Sequence, residues 1–321
     1  MTLPTRALGP WNVSAVGLGC MPLSGMPASK AGMIEDRSGA IEVIHAALNA
    51  GVTLIDTADI YAPSWKTFGH NEVLIGEALA SWSGSTEAKS KVVVATKGGI
   101  TRGPDETWGR GTSKDYLLRA AEASALRLKV DKIQLWHHHR LDSTVEFETQ
   151  FENLLVLLER GLVEHIGVSN YSAEQLRRAI KIGGTPAQGG VISIQNQFSA
   201  RYRCEAEVID LCEEFGIAFL PWAPLGGVLR SSALEEVGAG AFSEIGKTRD
   251  VSAYAVAIAW LLHRSPTLIP IPGATQVKSI LDSLTGIALS LTSEELAQIE
   301  ASLPEDSPLD GELLEQPLYR K

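Results

Sequence analysis

A carboxylate and a phenol stand five residues apart in the stretch Leu54-Ile55-Asp56-Thr57-Ala58-Asp59-Ile60-Tyr61. Val52 to Ile55 is a short apolar run preceded by Gly51, a helix stop, and reads as a buried strand. Asp56 then sits where the strand ends and Tyr61 falls in the following loop. An Asp in that place also caps turns, so the pair alone decides little. Two further runs end on reactive groups: Val92 to Ala95 leads into Thr96-Lys97, and Ile133 to Trp136 into His137-His138-His139. Carboxylate, phenol, ammonium and imidazole together suit one chemistry, proton donation to a carbonyl oxygen. A free phenol, with a pKa of about 10, is a poor acid at neutral pH. A neighbouring ammonium favours the phenolate, and a carboxylate holds the ammonium in place. Asp56, Lys97 and Tyr61 thus form a chain with Tyr61 as general acid, beside which a histidine orients the carbonyl or shares the proton.

The elements that must position these groups follow a repeating pattern. Helical stripes (Ile41, Ile44, Ala47, Leu48; then Val73, Leu74, Ala78, Leu79) precede the strands Val52–Ile55 and Val92–Ala95. Tyr116 to Leu128 and Phe147 to Leu158 are helical, before strands at Ile133–Trp136 and Val163–Val168. Ser172-Ala173-Glu174-Gln175 is a capping box opening a helix, and Thr292-Ser293-Glu294-Glu295 caps another. Val191–Ile194, Ile217–Leu220 and Leu268 to Ile271 complete the later strands, with helices at Val208–Phe215 and Ala253–Leu262 between. With Ala15–Leu18 as the first strand, eight strand–helix alternations run without a linker. That predicts an α/β fold, a closed (β/α)8 TIM barrel, as one domain over residues 1–321. A turn cluster at Gly9-Pro10-Trp11-Asn12 predicts an N-terminal β-hairpin, and the acidic, proline-rich tail 304–321 an irregular C-terminal arm. The competing doubly wound sheet would carry a phosphate-binding glycine fingerprint. Gly17-Leu18-Gly19 lacks the third glycine, and Pro22 falls where the helix should begin.

In such a barrel the C-terminal strand ends form the active site. They carry Asp56, Lys97, His137 to His139, Ser169-Asn170, Gln195-Asn196, Trp222 and Pro272 to Thr275. Alternation puts Ile133, Leu135, His137 and His139 on one face and His138 on the other. Consecutive strand residues diverge, so the histidine run is a poor metal site, and no metal is expected. Met21, Ile60, Trp65, Trp108 and Trp136 lie in or near rim loops, an aromatic lining suited to an apolar carbonyl compound. The stretch Thr101 to Thr112 is expected either to close over the site or to be mobile surface.

Composition limits the partners. The chain has 321 residues, 45% of them hydrophobic, and a net charge of −10, which argues against nucleic acid and anionic membranes. Cys20, Cys204 and Cys212 give no disulfide framework or metal spacing, which fits a reducing cytoplasm. The N-terminus lacks a signal-peptide core, and the longest apolar run, Ala253 to Leu262, is too short to span a bilayer. A small-molecule substrate is the expected partner.

From about Arg6 to Leu303 the sequence resembles the aldo-keto reductase superfamily. The matching stretches are Asp56-Thr57-Ala58 with Tyr61, Ala95-Thr96-Lys97, Gly167-Val168-Ser169-Asn170, Gln195-Asn196, Pro224-Leu225-Gly226 and Ile271-Pro272-Gly273. The resemblance implies a barrel that binds a nicotinamide cofactor across its mouth, and a catalytic tetrad of Asp56, Tyr61, Lys97 and a histidine. His139-Arg140-Leu141-Asp142 has the family spacing, which points to His139. It further implies that Ser169, Asn170 and Gln195 hold the carboxamide, that Trp222 stacks on the nicotinamide, and that Leu225 and Gly226 reach the pyrophosphate. Gly273 to Thr275 would reach the adenosine end with Ser279 and Asp282. Ser279 and Ser283 depart from the family pattern, with Lys278 adjacent; NADP (NADPH) is the expected cofactor, with NAD as the alternative. Pro224 to Gly227 is similar to bacterial pyridoxal-reductase-like members. The expected activity is reduction of an aldehyde or ketone to an alcohol; the alternatives are a slow, cofactor-sensing regulatory subunit and a metal-dependent barrel lyase or hydrolase.

Overall fold

A computed structural model describes residues 3–24, 36–226 and 239–303. The C-terminal arm at 304–321 and Gly227 lie outside the described residues. β1 (Thr5–Leu8) and β2 (Trp11–Ser14) form the expected antiparallel hairpin, turning at Gly9 with a φ of 55°. A side chain at Gly9 would also meet Ile192.

Seven parallel strands follow, in the order in which the chain makes them: β3 (Leu18–Gly19), β4 (Leu54–Asp56), β5 (Val93–Gly98), β8 (Ile133–His138), β9 (Val163–Ser169), β10 (Val191–Gln195) and β11 (Ala218–Phe219). The eighth position is filled by residues 267–273, which bridge both edges: Phe219 pairs with Leu268, and Gly19 with Gly273. Ile269 N–H donates to Phe219 O at 2.8 Å and Gly17 N–H to Pro270 O at 2.9 Å, so the barrel closes. Pro270 and Pro272 have no N–H to give, which reduces this strand to isolated bridges. The first strand is likewise shorter than Ala15–Leu18, because Ala15 N–H is spent on Pro4 O of the hairpin.

Side-chain alternation sorts each strand into an interior and a wall. Leu54, Val93, Ala95, Leu135, Ile192, Leu220, Ile269 and Ile271 fill the interior, and Leu8 and Val13 of the hairpin plug its base. Ile55, Val94, Trp136, Ile166, Val168 and Ile194 face outward into the helices. Each fully buried Val, Leu or Ile contributes roughly 1.5–3 kcal/mol, so the plug is a substantial closure. The expected helices form at Arg37–Asn49, His70–Ser81, Lys114–Leu128, Phe147–Glu159, Ala173–Gly183, Ala206–Phe215, Ala253–Arg264 and Ser293–Ser302. Both capping boxes, at Ser172 with Gln175 and at Thr292 with Glu295, are made. Helices at Ala239–Arg249 and Val277–Thr285 were not anticipated. None of the described helices is long and apolar enough to cross a membrane.

Within Thr101 to Thr112, β6 (Ile100–Gly103) and β7 (Thr107–Arg110) pair as an antiparallel hairpin. One expectation is corrected. Trp136, expected at the rim, is fully buried in the wall, because it alternates with the interior residues Leu135 and His137.

Candidate active site

Alternation along β5 puts Thr96 outward and Lys97 inward, at the level where the interior turns from apolar to polar. Lys97 is fully buried, and its three ammonium donors are all directed at oxygen. Nζ lies 2.8 Å from both Asp56 carboxylate oxygens, 2.7 Å from Thr57 O and 3.2 Å from the Tyr61 hydroxyl. Gln195 Nε2 donates to Asp56 Oδ1 at 2.8 Å. Burial pushes the Asp56 carboxyl up and the Lys97 ammonium down, and the attraction between them opposes both shifts. The ammonium also lies 4.9 Å from the centroid of the Tyr61 ring.

The loop carrying Tyr61 is fixed from several sides. Its ends are tied by Asp59 N–H to Lys97 O at 3.0 Å and by Asn71 N–H to Tyr61 O at 3.1 Å. Thr57 Oγ1 donates to Asn71 Oδ1 at 2.5 Å, and Asn71 Nδ2 donates to Cys20 O at 2.8 Å. Thr96 and Arg127 donate to the buried Glu72 at 2.5 and 2.6 Å. From the hairpin, Arg102 donates to Ala62 O at 2.7 Å and pairs with Glu106. Sequence reasoning missed Asn71, Glu72 and Arg102. For the first two a signal existed: adjacent polar residues immediately before the apolar stripe of their helix, where polar groups are buried only with partners.

The histidines diverge. His139 closes the site opposite Tyr61, the rings 5.9 Å apart and edge-on at 85°. Burial and the Lys97 charge hold its pKa well below the usual range, so the imidazole is neutral and keeps one N–H donor. His137 lies one layer deeper, bonded to Ser193 Oγ at 2.9 Å. Its ring is why position 167 is glycine, since a Cβ there would stand 2.5 Å from His137 Cδ2. His138 points outward to the Tyr171 hydroxyl, 2.7 Å away. Among the described residues no three of His, Cys, Asp and Glu form a metal-holding group.

Burial lowers the pKa of His137 to about 3 and of His138 to about 4. Unfolded histidines titrate near 6.5, so between these values the unfolded chain binds more protons than the folded one. Their neutral burial therefore costs nothing above about pH 6.5, and stability is lost as pH falls below it. Each contributes a slope of up to about 1.4 kcal/mol per pH unit. His137→Gln is expected to flatten the fall in urea midpoint between roughly pH 6 and 4 by about one proton's worth; an unchanged slope would contradict the neutral assignment.

A cavity of about 680 Å³ opens from this site and runs along the mouth. Asp56, Tyr61, His139, Ser169, Asn170, Gln195, Trp222, Leu225, Gly273, Thr275, Ser279 and Asp282 all line it, with Lys278 and Ser283. Asn170 is held in the left-handed region (φ 61°), where Asn is tolerated. Its amide donates to His139 O at 3.1 Å, and its Oδ1 accepts from Trp222 Nε1 at 3.1 Å. Ser169 Oγ donates to Gln195 O at 2.8 Å. At the far end Ser252 Oγ donates to Asp282 Oδ2 at 2.6 Å, and Ser283 Oγ is spent on Ser279 O. Gly226 does not line the cavity, and its N–H closes a turn onto Ala223 O.

Of the residues expected around the substrate, Met21 lines the cavity. Ile60 does not: it is fully buried in a small cluster with Ala58 and Ile100. Trp108 packs on that cluster, 5.1 Å from the Arg102 guanidinium, and Trp65 lies beside Lys66; neither lines the cavity. Arg102 ties the hairpin to the Tyr61 loop through Ala62 O, and Trp108 of that hairpin packs on the same cluster.

A closed parallel barrel with a buried Asp–Lys–Tyr chain and a neutral histidine at its C-terminal mouth defines a class of oxidoreductase. The chain belongs to the Aldo/keto reductase family, whose sequence model matches residues 15–304. It is 31% identical to an uncharacterized oxidoreductase of Schizosaccharomyces pombe, over 92% of this chain and 89% of that one. It is 30% identical to probable aldo-keto reductase 1 of Glycine max, over 92% of this chain and 86% of that one. Among solved structures, the glycerol dehydrogenase of Gluconobacter oxydans superposes with a TM-score of 0.77 at 24% identity, covering 97% of this chain and 99% of that one. An aldo-keto reductase of Klebsiella pneumoniae solved with NADPH gives 0.75 at 23% identity, covering 97% and 99%. At those identities the superpositions speak for the fold.

Proposed function

We propose that this protein reduces an aldehyde or ketone to an alcohol with NADPH, with Tyr61 as the general acid. The observation that carries this reading is the Lys97 ammonium, buried between Asp56 and the Tyr61 hydroxyl, both of which line the cavity. The cavity's donor set fits a nicotinamide dinucleotide. Ser169, Asn170 and Gln195 offer the donors and acceptors a carboxamide needs. The half-buried Trp222 offers an indole face for the ring. Lys278 and Ser279, in the first turn of helix Val277–Thr285, suit a phosphate. The cofactor, when bound, supplies the hydride.

The chain's own residues do the rest. A substrate carbonyl oxygen placed between the Tyr61 hydroxyl and the neutral His139 ring takes a hydrogen bond from each. As negative charge grows on that oxygen, Tyr61 gives up its proton. The charge left on the phenol oxygen is stabilised by Lys97 3.2 Å away, itself anchored by Asp56. Because the ammonium is buried and fully bonded, it needs no rearrangement during this transfer. Solvent reprotonates Tyr61 through the open mouth.

The test is a side-by-side titration of the protein with NADPH and NADH, followed by a panel of aldehydes and ketones monitored by loss of NADPH absorbance. Tighter NADPH binding with turnover of at least one carbonyl class is the expected result. Tight cofactor binding with no turnover across the panel would instead indicate a cofactor sensor.

A further inference from the structure

Two ion pairs and one unmatched carboxyl lie behind the Tyr61 loop. Lys97 is matched by Asp56, and Arg127, on helix Lys114–Leu128, by Glu72, on helix His70–Ser81. Asp59, two residues before Tyr61, is fully buried, and among the described residues neither of its carboxyl oxygens makes a hydrogen bond. Glu72 takes the Arg127 Nε–H at 2.6 Å and the Thr96 hydroxyl at 2.5 Å, and Arg127 Nη2 is turned to Ser124 Oγ. The Ile60 N–H lies beside the Asp59 carboxyl without hydrogen-bond geometry. A Cβ at Gly98 would stand 3.1 Å from Asp59 Oδ2 and 2.4 Å from Trp136 Cζ2, so the carboxyl is walled by the indole, whose Nε1 also makes no hydrogen bond. Tyr116 spends its hydroxyl on Ile100 O at 3.4 Å. A buried carboxylate without donors is far costlier than the neutral acid, and such a group takes up a proton instead. Burial and the Glu72 charge push the Asp59 carboxyl well up, against weaker pulls from Arg127, the Ile60 N–H and Lys97. Burial, with Asp59 adding to it, also raises Tyr116, so that neighbour is uncharged. The Asp59 backbone, by contrast, is bonded on both sides: its N–H donates to Lys97 O at 3.0 Å, and its O accepts from Gly69 N–H at 2.7 Å.

We propose that Asp59 is a positioning residue for Tyr61 that works only while protonated: the uncharged carboxyl stays against β5, whereas an ionised one, lacking a donor, leaves for water and takes the Tyr61 loop with it. This rests on the reductase reading of the same site and deepens it by naming what holds the acid in place. The two backbone bonds of Asp59 are the link, because a residue drawn outward breaks both and shifts Tyr61, two residues on, away from Lys97. Ionisation would also set a second anion behind the ammonium that has to stabilise the Tyr61 conjugate base.

Asp59→Asn tests this, since the amide is a fixed neutral mimic of the acid. Unfolded Asp59 releases its proton near pH 3.9, so between that value and its raised folded pKa the folded chain holds the extra proton. The stability it contributes is complete below about pH 4 and is lost as pH rises through the folded pKa. The unfolding constant of the unaltered protein, divided by that of Asp59→Asn, is therefore expected to rise about tenfold per pH unit between roughly pH 5 and 7. The histidines, common to both proteins, cancel in this ratio. A flat ratio over that range means that Asp59 is ionised and overturns the proposal. Single-turnover rates with NADPH and one aldehyde, followed upward in pH on both proteins, read the positioning role. The rate of Asp59→Asn relative to the unaltered protein is expected to rise by about tenfold or more where the stability ratio levels off, because only the natural residue ionises there. A rate ratio that stays constant to the alkaline limit of the folded protein overturns the positioning role, even with the proton in place. Failure of every carbonyl compound to turn over overturns the reductase reading and the positioning role with it, while the stability ratio still decides whether Asp59 holds the proton. If Asp59→Asn does not fold, infrared spectroscopy of Asp56→Asn protein carrying isotope-labelled aspartate, at about pH 7, gives the decision: Asp59 is then the one buried aspartate left among the described residues. A label-shifted carbonyl stretch of a protonated carboxyl is expected, and its absence overturns the proposal.

Discussion

Tyr61→Phe is expected to lower kcat/KM for aldehyde reduction by about a thousandfold, in the middle of the range for a positioned general acid. The change removes one oxygen and little else. The Tyr61 ring packs on Ala58, Ile60 and Ile100, contacts that Phe keeps. Lys97 loses the partner at 3.2 Å but retains both Asp56 oxygens and Thr57 O. NADPH affinity and the urea midpoint should therefore stay close to those of the unaltered protein, while the chemical step collapses. Single-turnover rates with bound NADPH measure that step directly. A variant retaining more than about a tenth of the single-turnover rate would show that the proton comes from elsewhere, His139 or water.

Lys97→Met acts on both chemistry and stability. The carboxylate of Asp56 would remain buried with Gln195 as its hydrogen-bond donor, and a buried charge stripped of its partner costs about 3–5 kcal/mol. Tyr61 would lose the charge that stabilises its conjugate base, so activity should fall at least as far as in Tyr61→Phe. Asp56→Asn in the same chain should return much of the stability, because a neutral amide tolerates burial, and none of the activity. That pattern, a large positive coupling in urea unfolding without coupling in rate, is the signature of an ion pair retained for its chemistry. The pH dependence of Lys97→Met has a definite sign. Without the ammonium, the folded carboxyl of Asp56 is raised further above its unfolded value near 3.9, so the protonated form is the tolerated one. Its contribution is complete at acid pH and lost as pH rises above about 4, opposite to the histidine effect. A urea midpoint that does not change on losing the ammonium would mean that Asp56 is neutral already.

The sequence by itself determined where the reacting groups fall. Period-two alternation sends Lys97 and His139 inward and His138 outward, and a strand ending at Asp56 leaves Tyr61 in the loop above it. These are consequences of backbone geometry over a few residues, and so they are written in local spacing. Eight strand–helix alternations fix the closed barrel in the same way, since each helix must cover the apolar wall its strand presents. The tertiary structure decided what depends on partners distant in the chain. Trp136 follows the alternation of its strand, which turns it away from the interior that Leu135 and His137 face; what the tertiary structure adds is the helical layer that buries it completely. Arg102 reads as one more charge in a polar loop until it meets Ala62 O, forty residues away, and draws the hairpin against the Tyr61 loop. Trp108, on that hairpin, packs on the cluster of Ala58, Ile60 and Ile100. Pro270 and Pro272 likewise leave the eighth strand legible as an apolar run, while its reduction to bridges depends on which neighbouring carbonyls it can answer. What lines the cavity, and with which charge, is settled by such long-range contacts, because a side chain's direction in a loop is set by whatever it packs against.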